Sequence, residues 1–276
     1  MLLLLAALCW SLGGVLLKSV NWPPLAVGGG RGLVAAVFLL LVMGRQRPFR
    51  WGWLPLATAV AYTGCTLLFA AATKLTTAAN AILLQYTAPA YVALLGAWLL
   101  KERPTRSDWL TIAVVFVGLA VFLYDGLRLN DVAGILLAIA SGVAFSVMIV
   151  LLRLQKDDAP IGSIILGNFF AFLCGLPSIL GAPLPDARSW VALLLLGVVQ
   201  LGIAYLVYTK AIKHVTALEA VLIPVIEPIL NPIWVMLVLG EKPSALALLG
   251  GAIVIGAVTW RAMHSIRQPP PAVLPG

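Results

Sequence analysis

LEAVLIPVIEPILNPIWVMLVLGEKP, residues 218–243, decides the fold. Nearly all of it is apolar, yet it carries Glu219, Glu227, Asn231 and three prolines four residues apart, Pro224, Pro228 and Pro232. A run this long and this apolar reads as a membrane-crossing helix, which takes about 20 residues. The prolines fit such a helix poorly. Each removes one helical hydrogen bond and frees the carbonyl four residues earlier, here those of Ala220, Pro224 and Pro228. An unpaired carbonyl in hydrocarbon costs several kcal/mol unless water, protein or a solute reaches it. Glu227 falls about ten residues into the span, roughly 15 Å deep at about 1.5 Å per residue. Asn231 shares its face one turn later. The stretch therefore reads as a helix facing a wet cavity near the midplane. Two roles stand for Glu227: contact with a substrate or proton, or an acid that is protonated or hydrogen-bonded and braces a kinked helix. Glu219, close to the end of the span, reads as an interfacial acid near Lys210 and Lys213.

The rest of the chain has the same character. Of its 276 residues, 62% are apolar and 10% charged, with a mean hydropathy of +1.06. Soluble domains carry about 25% charged residues, so a soluble enzyme is excluded. The net charge of +8 and the pI near 9.7 come from basic residues in short loops. Such placement points to membrane topology and anionic lipid headgroups rather than to nucleic acid. Cys9, Cys65 and Cys174 lie inside apolar spans and form no paired motif; His214 and His264 fall near helix ends. No spacing suits a metal, and neither metal nor cofactor is expected. The opening MLLLLAALCWSLGGVLLK lacks the basic start and cleavage site of a signal peptide. It reads as the first membrane helix, starting flush with the bilayer as if a natural leader were missing. The tail QPPPAVLPG (268–276) is Pro-rich and reads as disordered.

The fold class is an all-α integral membrane protein with ten transmembrane helices. The spans run at about 2–19, 25–43, 53–73, 79–100, 107–124, 131–152, 160–181, 189–210, 217–239 and 244–263. The loops between them, such as GRQRPFRWG, KERPTRS, DGLRLN, RLQKDDA, APLPDARS and EKPS, are too short to hold a soluble domain. One side gathers twelve basic residues: Arg45, Arg47, Arg50, Lys101, Arg103, Arg106, Arg153, Lys156, Lys210, Lys213, Arg261 and Arg267. The other has five: Lys18, Lys74, Arg128, Arg188 and Lys242. The positive-inside rule then puts both termini in the cytoplasm.

The two halves, 1–124 and 131–264, resemble each other. WSLGGVLLK (10–18) lies beside FSVMIVLLR (145–153), and GGRGLVAAV (29–37) beside LGNFFAFLC (166–174), which sets Arg31 opposite Asn168. The third and eighth spans both end in Thr-Lys, at Thr73-Lys74 and Thr209-Lys210. APAYVALLGAWLLKERP (88–104) matches EPILNPIWVMLVLGEKP (227–243), pairing Pro89 with Pro228, Glu102 with Glu241 and Pro104 with Pro243. Five spans per half is an odd number, so the second half enters the membrane from the opposite side. Inverted repeats are typical of secondary transporters, with the substrate site between the halves near the midplane.

Two five-helix repeats, each with a proline in its fourth helix followed by a Gly-Glu-Arg/Lys-Pro-like turn, resemble the drug/metabolite transporter (DMT) superfamily of EamA type. Within it the chain looks like the YddG-like amino-acid exporters. The resemblance covers essentially the whole chain. It implies a bacterial inner-membrane exporter whose central cavity is made by helices 1–4 and 6–9, with helices 5 and 10 as scaffold. The first half departs from the turn pattern, with Lys101 in LKERP where glycine is usual. The residues agree about the scaffold: WLTIAVVFVGLAVFL (109–123) is almost without polar groups, and LALLGGAIVIGAV (246–258) carries Gly250, Gly251 and Gly256. Small residues allow close packing in lipid, within the chain or between two copies as a homodimer.

Other polar or aromatic groups near mid-span are candidates for a substrate path: Trp10, Ser11, Tyr62, Gln85, Tyr86, Ser146, Asn168, Gln200 and Tyr205, with Glu227 and Asn231. Each alone also reads as a packed or interhelical hydrogen-bonding side chain; their recurrence in many spans points to a lined cavity. Pro89 and Pro228 are the candidate hinges. Arg31, about 9 Å from the outer end of its span, either snorkels outward, finds an internal partner or meets a substrate carboxylate. The expected activity is export of a small metabolite, foremost an amino acid that is aromatic or otherwise neutral, by alternating access. Freed carbonyls and Glu227 suit an ammonium; amides or Arg31 suit a carboxylate. Another small solute or drug is the alternative cargo. No HExxH, Walker A, paired-acid or Ser-His-Asp set supports an enzyme, and no repeated carbonyl filter supports a channel.

Overall fold

The computed structural model describes residues 1–44, 49, 51–126, 132–158, 160–240 and 244–266. Among them are ten helical segments and no strand. We number them α1 Leu2–Ser19, α2 Pro24–Met43, α3 Trp53–Leu75, α4 Ala78–Leu100, α5 Arg106–Gly126, α6 Val132–Leu154, α7 Pro160–Leu180, α8 Ala187–His214, α9 Ala217–Leu239 and α10 Ala245–Ile266. Eight of the described helices, all but α5 and α10, are long and apolar enough to cross a membrane. α10 contains a shorter apolar stretch, Leu248–Arg261. Arg45, Arg47, Arg50, Arg128, Glu241, Lys242, Pro243, Arg267, the tail 268–276 and the His264 side chain lie outside the described residues.

Local chemistry sets several helix starts. Thr77 accepts from the Asn80 amide at the head of α4. Asp186 accepts from the Ser189 amide at 2.7 Å at the head of α8. Hydrogen bonds from the Ser189 hydroxyl and amide hold the Asp186 carboxyl below its ordinary range. At α9, Thr216 Oγ1 accepts from the Glu219 amide at 3.2 Å while Glu219 Oε2 accepts from the Thr216 amide at 2.9 Å, a reciprocal capping box. Glu219 therefore starts a helix.

Much of the packing pattern is kept when each helix is exchanged for the one five places along the chain. α3 packs on α6 as α8 packs on α1; α3 on α7 as α8 on α2; α4 on α6 as α9 on α1. α2 with α7, α4 with α9 and α5 with α10 map onto themselves. α5 and α10 lean chiefly on each other, joined by Arg261 Nε donating to Asp108 Oδ1. The first residue after α4 and after α9 has the same backbone hand: Lys101 has φ +59° and Gly240 φ +71°. Lysine adopts here the left-handed conformation that glycine supplies in the second half.

α2 and α7 approach closely through glycine. A Cβ added at Gly175 would stand 2.5 Å from the Leu25 carbonyl oxygen and 2.7 Å from Gly29 Cα. At one end of the bundle, Glu102 accepts from Arg153 Nε at 3.2 Å and from the Ala217 amide at 2.8 Å. Arg153 Nη1 also donates to the Ile212 and Lys213 carbonyls at 3.0 and 3.2 Å. These bonds clamp the ends of α4, α6 and α8 to the start of α9. The opposite end is tied by Lys74 Nζ to the Val20 carbonyl, by the Asn21 amide to Ser189 Oγ at 2.9 Å and by Trp22 Nε1 to the Pro183 carbonyl at 2.7 Å.

Candidate substrate cavity

Three helices break near their middles. α1 is interrupted at Leu12, between Leu2–Ser11 and Gly13–Ser19. α4 divides into Ala78–Gln85 and Ala88–Leu95. α9 divides into Ala217–Leu222, a 3₁₀ turn at Ile223–Val225 and Ile226–Leu239. In α4 and α9, Pro89 and Pro228 sit just past the break; α1 breaks without a proline. Pro89 is second in its half-helix and Pro228 third, where a missing N–H costs little because first-turn amides have no helical partner. Pro224 alone leaves helical geometry, with ψ 18°, and Pro232 is accommodated inside the helix. The second break is thus centred on Pro224, one turn before the hinge expected at Pro228.

Two of the freed carbonyls are already paired. Tyr86 Oη donates to the Pro224 carbonyl at 2.9 Å, and Tyr208 Oη to the Ala220 carbonyl at 3.3 Å. Of the three partners expected for them, water, protein or solute, these two have protein: tyrosines of α4 and α8 reach across and supply donors.

A cavity of ≈ 30 Å³ lies between the halves beside the three broken helices. Its walls are Trp10 of α1, Arg31 of α2, Cys65, Thr66 and Phe69 of α3, Gln85 of α4, Phe145 of α6, Gln200, Leu201 and Tyr205 of α8, and Glu227 of α9. α7, expected in the wall, contributes none of these. One water needs about 10–15 Å³, so the space holds roughly two. Larger cargo enters only when the helices part. Its wall residues Trp10, Phe145 and Tyr205 belong to an aromatic cluster: the Trp10 ring centroid lies 5.2 Å from Tyr205, 5.0 Å from Tyr208 and 6.2 Å from Phe145, and Tyr62, behind the wall, lies 4.8 Å from Tyr205.

Of the expected residues, Trp10, Gln85, Gln200, Tyr205 and Glu227 line the cavity. Gln200 lies in a π-helical stretch of α8, Leu196–Ile203, whose wider turn is a common device at functional sites. Gln85 Nε2 donates to Ser141 Oγ at 2.7 Å. The other six lie outside it. Ser11 Oγ donates to the Leu8 carbonyl and accepts from Trp234 Nε1. Tyr62 Oη donates to Asn168 Oδ1 at 3.0 Å, and Asn168 Nδ2 to the Ile164 carbonyl. Ser146 Oγ reaches the Gly142 and Ala88 carbonyls. Tyr86 is held by Pro224 and lies beside Glu227. Asn231 is fully buried, and neither atom of its amide has a partner among the described residues. All but Asn231 join helices to each other; mid-span position alone did not separate them from the wall.

Arg31 does not snorkel. It is 1% exposed. Nη1 donates to Gln200 Oε1 at 3.0 Å and Nη2 to the Thr66 carbonyl at 2.6 Å, while Nε has no partner among the described residues. The glycine face of α2 draws α7 against it and leaves the side chain no way out. Glu227 is 7% exposed, and among the described residues neither charge belongs to an ion pair. Cys65, Thr66, Phe69 and Phe145 were missed, because apolar or weakly polar residues on apolar helices give no signal of their own. Phe69 and Phe145 are the repeat partners of Tyr205 and Trp10, and that correspondence is the signal that finds them.

Residues 1–124 and 132–261 each match the EamA-like transporter family. The chain belongs to that family. As an EamA-like transporter it has a relative in Bacillus subtilis, the uncharacterized transporter YwfM, 25% identical over 91% of this chain and 89% of the relative. An uncharacterized transporter of Archaeoglobus fulgidus is 28% identical over 70% of this chain and 71% of its own length. The pseudopaline exporter CntI of Pseudomonas aeruginosa PAO1 is 30% identical over 65% of this chain and 64% of its own. A protein of known crystal structure, 22% identical, superposes with a TM-score of 0.76 over 96% of this chain and 98% of that one. At that identity the likeness concerns the fold.

Proposed function

We infer that this EamA-like transporter is a secondary exporter of small metabolites, foremost amino acids, acting by alternating access in the inner membrane. All ten helices cross the bilayer in this reading, as two inverted five-helix repeats with both termini in the cytoplasm. The observation that carries it is the cavity's place. It lies on the seam between two halves whose packing maps each onto the other, beside the breaks in α4 and α9. Broken helices at a repeat interface are where such carriers hold their cargo. The twelve-to-five division of basic residues supports the topology. Bonds between helix ends on both sides of the cavity, around Glu102 and around Lys74, supply ties that can loosen in turn.

The test is uptake of a panel of radiolabelled amino acids by proteoliposomes of the purified protein. Saturable uptake, with exchange of internal for external cargo, supports the reading; uptake no greater than that of protein-free vesicles refutes it. A second cargo class is favoured by the name of the Pseudomonas relative. If amino acids fail and pseudopaline is carried, export stands and the amino-acid assignment falls.

A further inference from the structure

We propose that Arg31 and Glu227 form a split-charge site for the two ends of an amphoteric solute, with its carboxylate at Arg31 and its ammonium at Glu227. This rests on the reading of the cavity as the cargo site and specifies what the cargo must carry. Both side chains line that cavity, and both are more than nine-tenths buried. Arg31 spends two donors on neutral acceptors, Gln200 Oε1 and the Thr66 carbonyl. Its Nε is buried and has no partner among the described residues. A buried guanidinium with no anion and an unused donor is costly unless something supplies both, and a carboxylate does so. The bonds to Gln200 and Thr66 also hold Arg31 on its own wall, so it does not collapse onto Glu227.

The repeat strengthens the case. The aromatic walls are duplicated: Trp10 corresponds to Phe145, and Phe69 to Tyr205, and all four line the cavity. The charges are not. Arg31 corresponds to Asn168, which bonds Tyr62 away from the cavity, and Glu227 corresponds to Ala88. A site made only of what the halves share would be neutral and apolar. The two departures add one positive and one negative group on different helices. That is the arrangement for a solute with unlike ends, its ammonium also facing the rings of Trp10 and Tyr205.

The experiment uses matched probes: phenylalanine, phenylalaninamide, which lacks the carboxylate, and 3-phenylpropionate, which lacks the amine. Binding to the full chain in detergent tests the inference, and uptake into proteoliposomes tests the exporter reading. Phenylalanine is expected to bind about ten- to a hundredfold more tightly than either analogue. Arg31→Gln should weaken phenylalanine by about that factor and leave phenylalaninamide unchanged. Glu227→Gln should do the converse, sparing 3-phenylpropionate. Arg31→Lys, which keeps the charge, should retain most of the preference for the acid and guards against a folding defect. Equal loss for all three probes in Arg31→Gln would make Arg31 a brace between α2, α3 and α8 and overturn the proposal. So would failure of phenylalanine, leucine, serine, glutamate and lysine alike to bind. Uptake of amino acids that ignores both substitutions defeats the split-charge site and leaves the exporter. The expected binding pattern without flux defeats the exporter and leaves the site.

Discussion

Removing the Tyr86 hydroxyl should cost stability only for as long as residue 228 is proline. Pro228 has no N–H to offer the Pro224 carbonyl four residues earlier, and Tyr86 Oη fills that place at 2.9 Å. Tyr86 is 2% exposed, so water cannot replace it without the helices parting. The Ile226 amide also donates to that carbonyl, so Tyr86→Phe removes one of its two donors, a loss of about 1 kcal/mol. Pro228→Ala adds a first-turn N–H four residues on, which can take the hydroxyl's place. In that background Tyr86→Phe should cost less than about 0.5 kcal/mol, a coupling of about 0.5–1 kcal/mol between the two sites. Reversible unfolding of the four proteins in mixed detergent micelles measures the cycle. Pro228→Ala should also slow uptake, because an added bond across the break at Pro224 stiffens α9 beside Glu227. Equal cost of Tyr86→Phe in both backgrounds would show that the hydroxyl does not replace the proline's lost bond.

Gly175→Ala places a Cβ 2.5 Å from the Leu25 carbonyl oxygen, and forcing α2 and α7 apart should cost about 1–3 kcal/mol. Gly256→Ala meets nothing within 4 Å and should be neutral or stabilising by up to about 1 kcal/mol; the two melting temperatures in detergent check the contrast. Lys101→Gly relieves a left-handed backbone at φ +59° and should stabilise by about 1 kcal/mol in the same assay. Glu102→Gln weakens a half-exposed clamp by about 1 kcal/mol or less. It should raise thiol access to the cavity from the Arg103 side by up to about fivefold, measured by labelling rates.

Span positions were legible because helix length and apolar runs coincide in a membrane. The run read at 217–239 is α9, Ala217–Leu239, and that read at 53–73 is α3, Trp53–Leu75. The prolines announced broken helices, and the breaks are there. What closes the freed carbonyls was not legible, since the donors, Tyr86 and Tyr208, stand on other helices and no periodicity links them to Pro224 or Ala220. The same holds for Arg31. Its depth could be counted along α2, but its direction depends on how closely Gly29 and Gly175 bring two helices together. Tyr62 and Asn168 looked like wall residues because each, taken alone, is a polar group at mid-span; they bond each other, which only tertiary structure reveals.

Cys65 offers the most direct test of a single cavity exposed to each side in turn. It lines the cavity and is 3% exposed, while Cys9 and Cys174 lie elsewhere. With those two replaced by alanine, Cys65 is the only thiol in the chain. Right-side-out and inside-out vesicles are then treated with a membrane-impermeant maleimide, with and without the transported amino acid. The account predicts slow labelling of Cys65 from both sides and protection by cargo from both. Labelling from one side only, whether or not cargo is present, would contradict it.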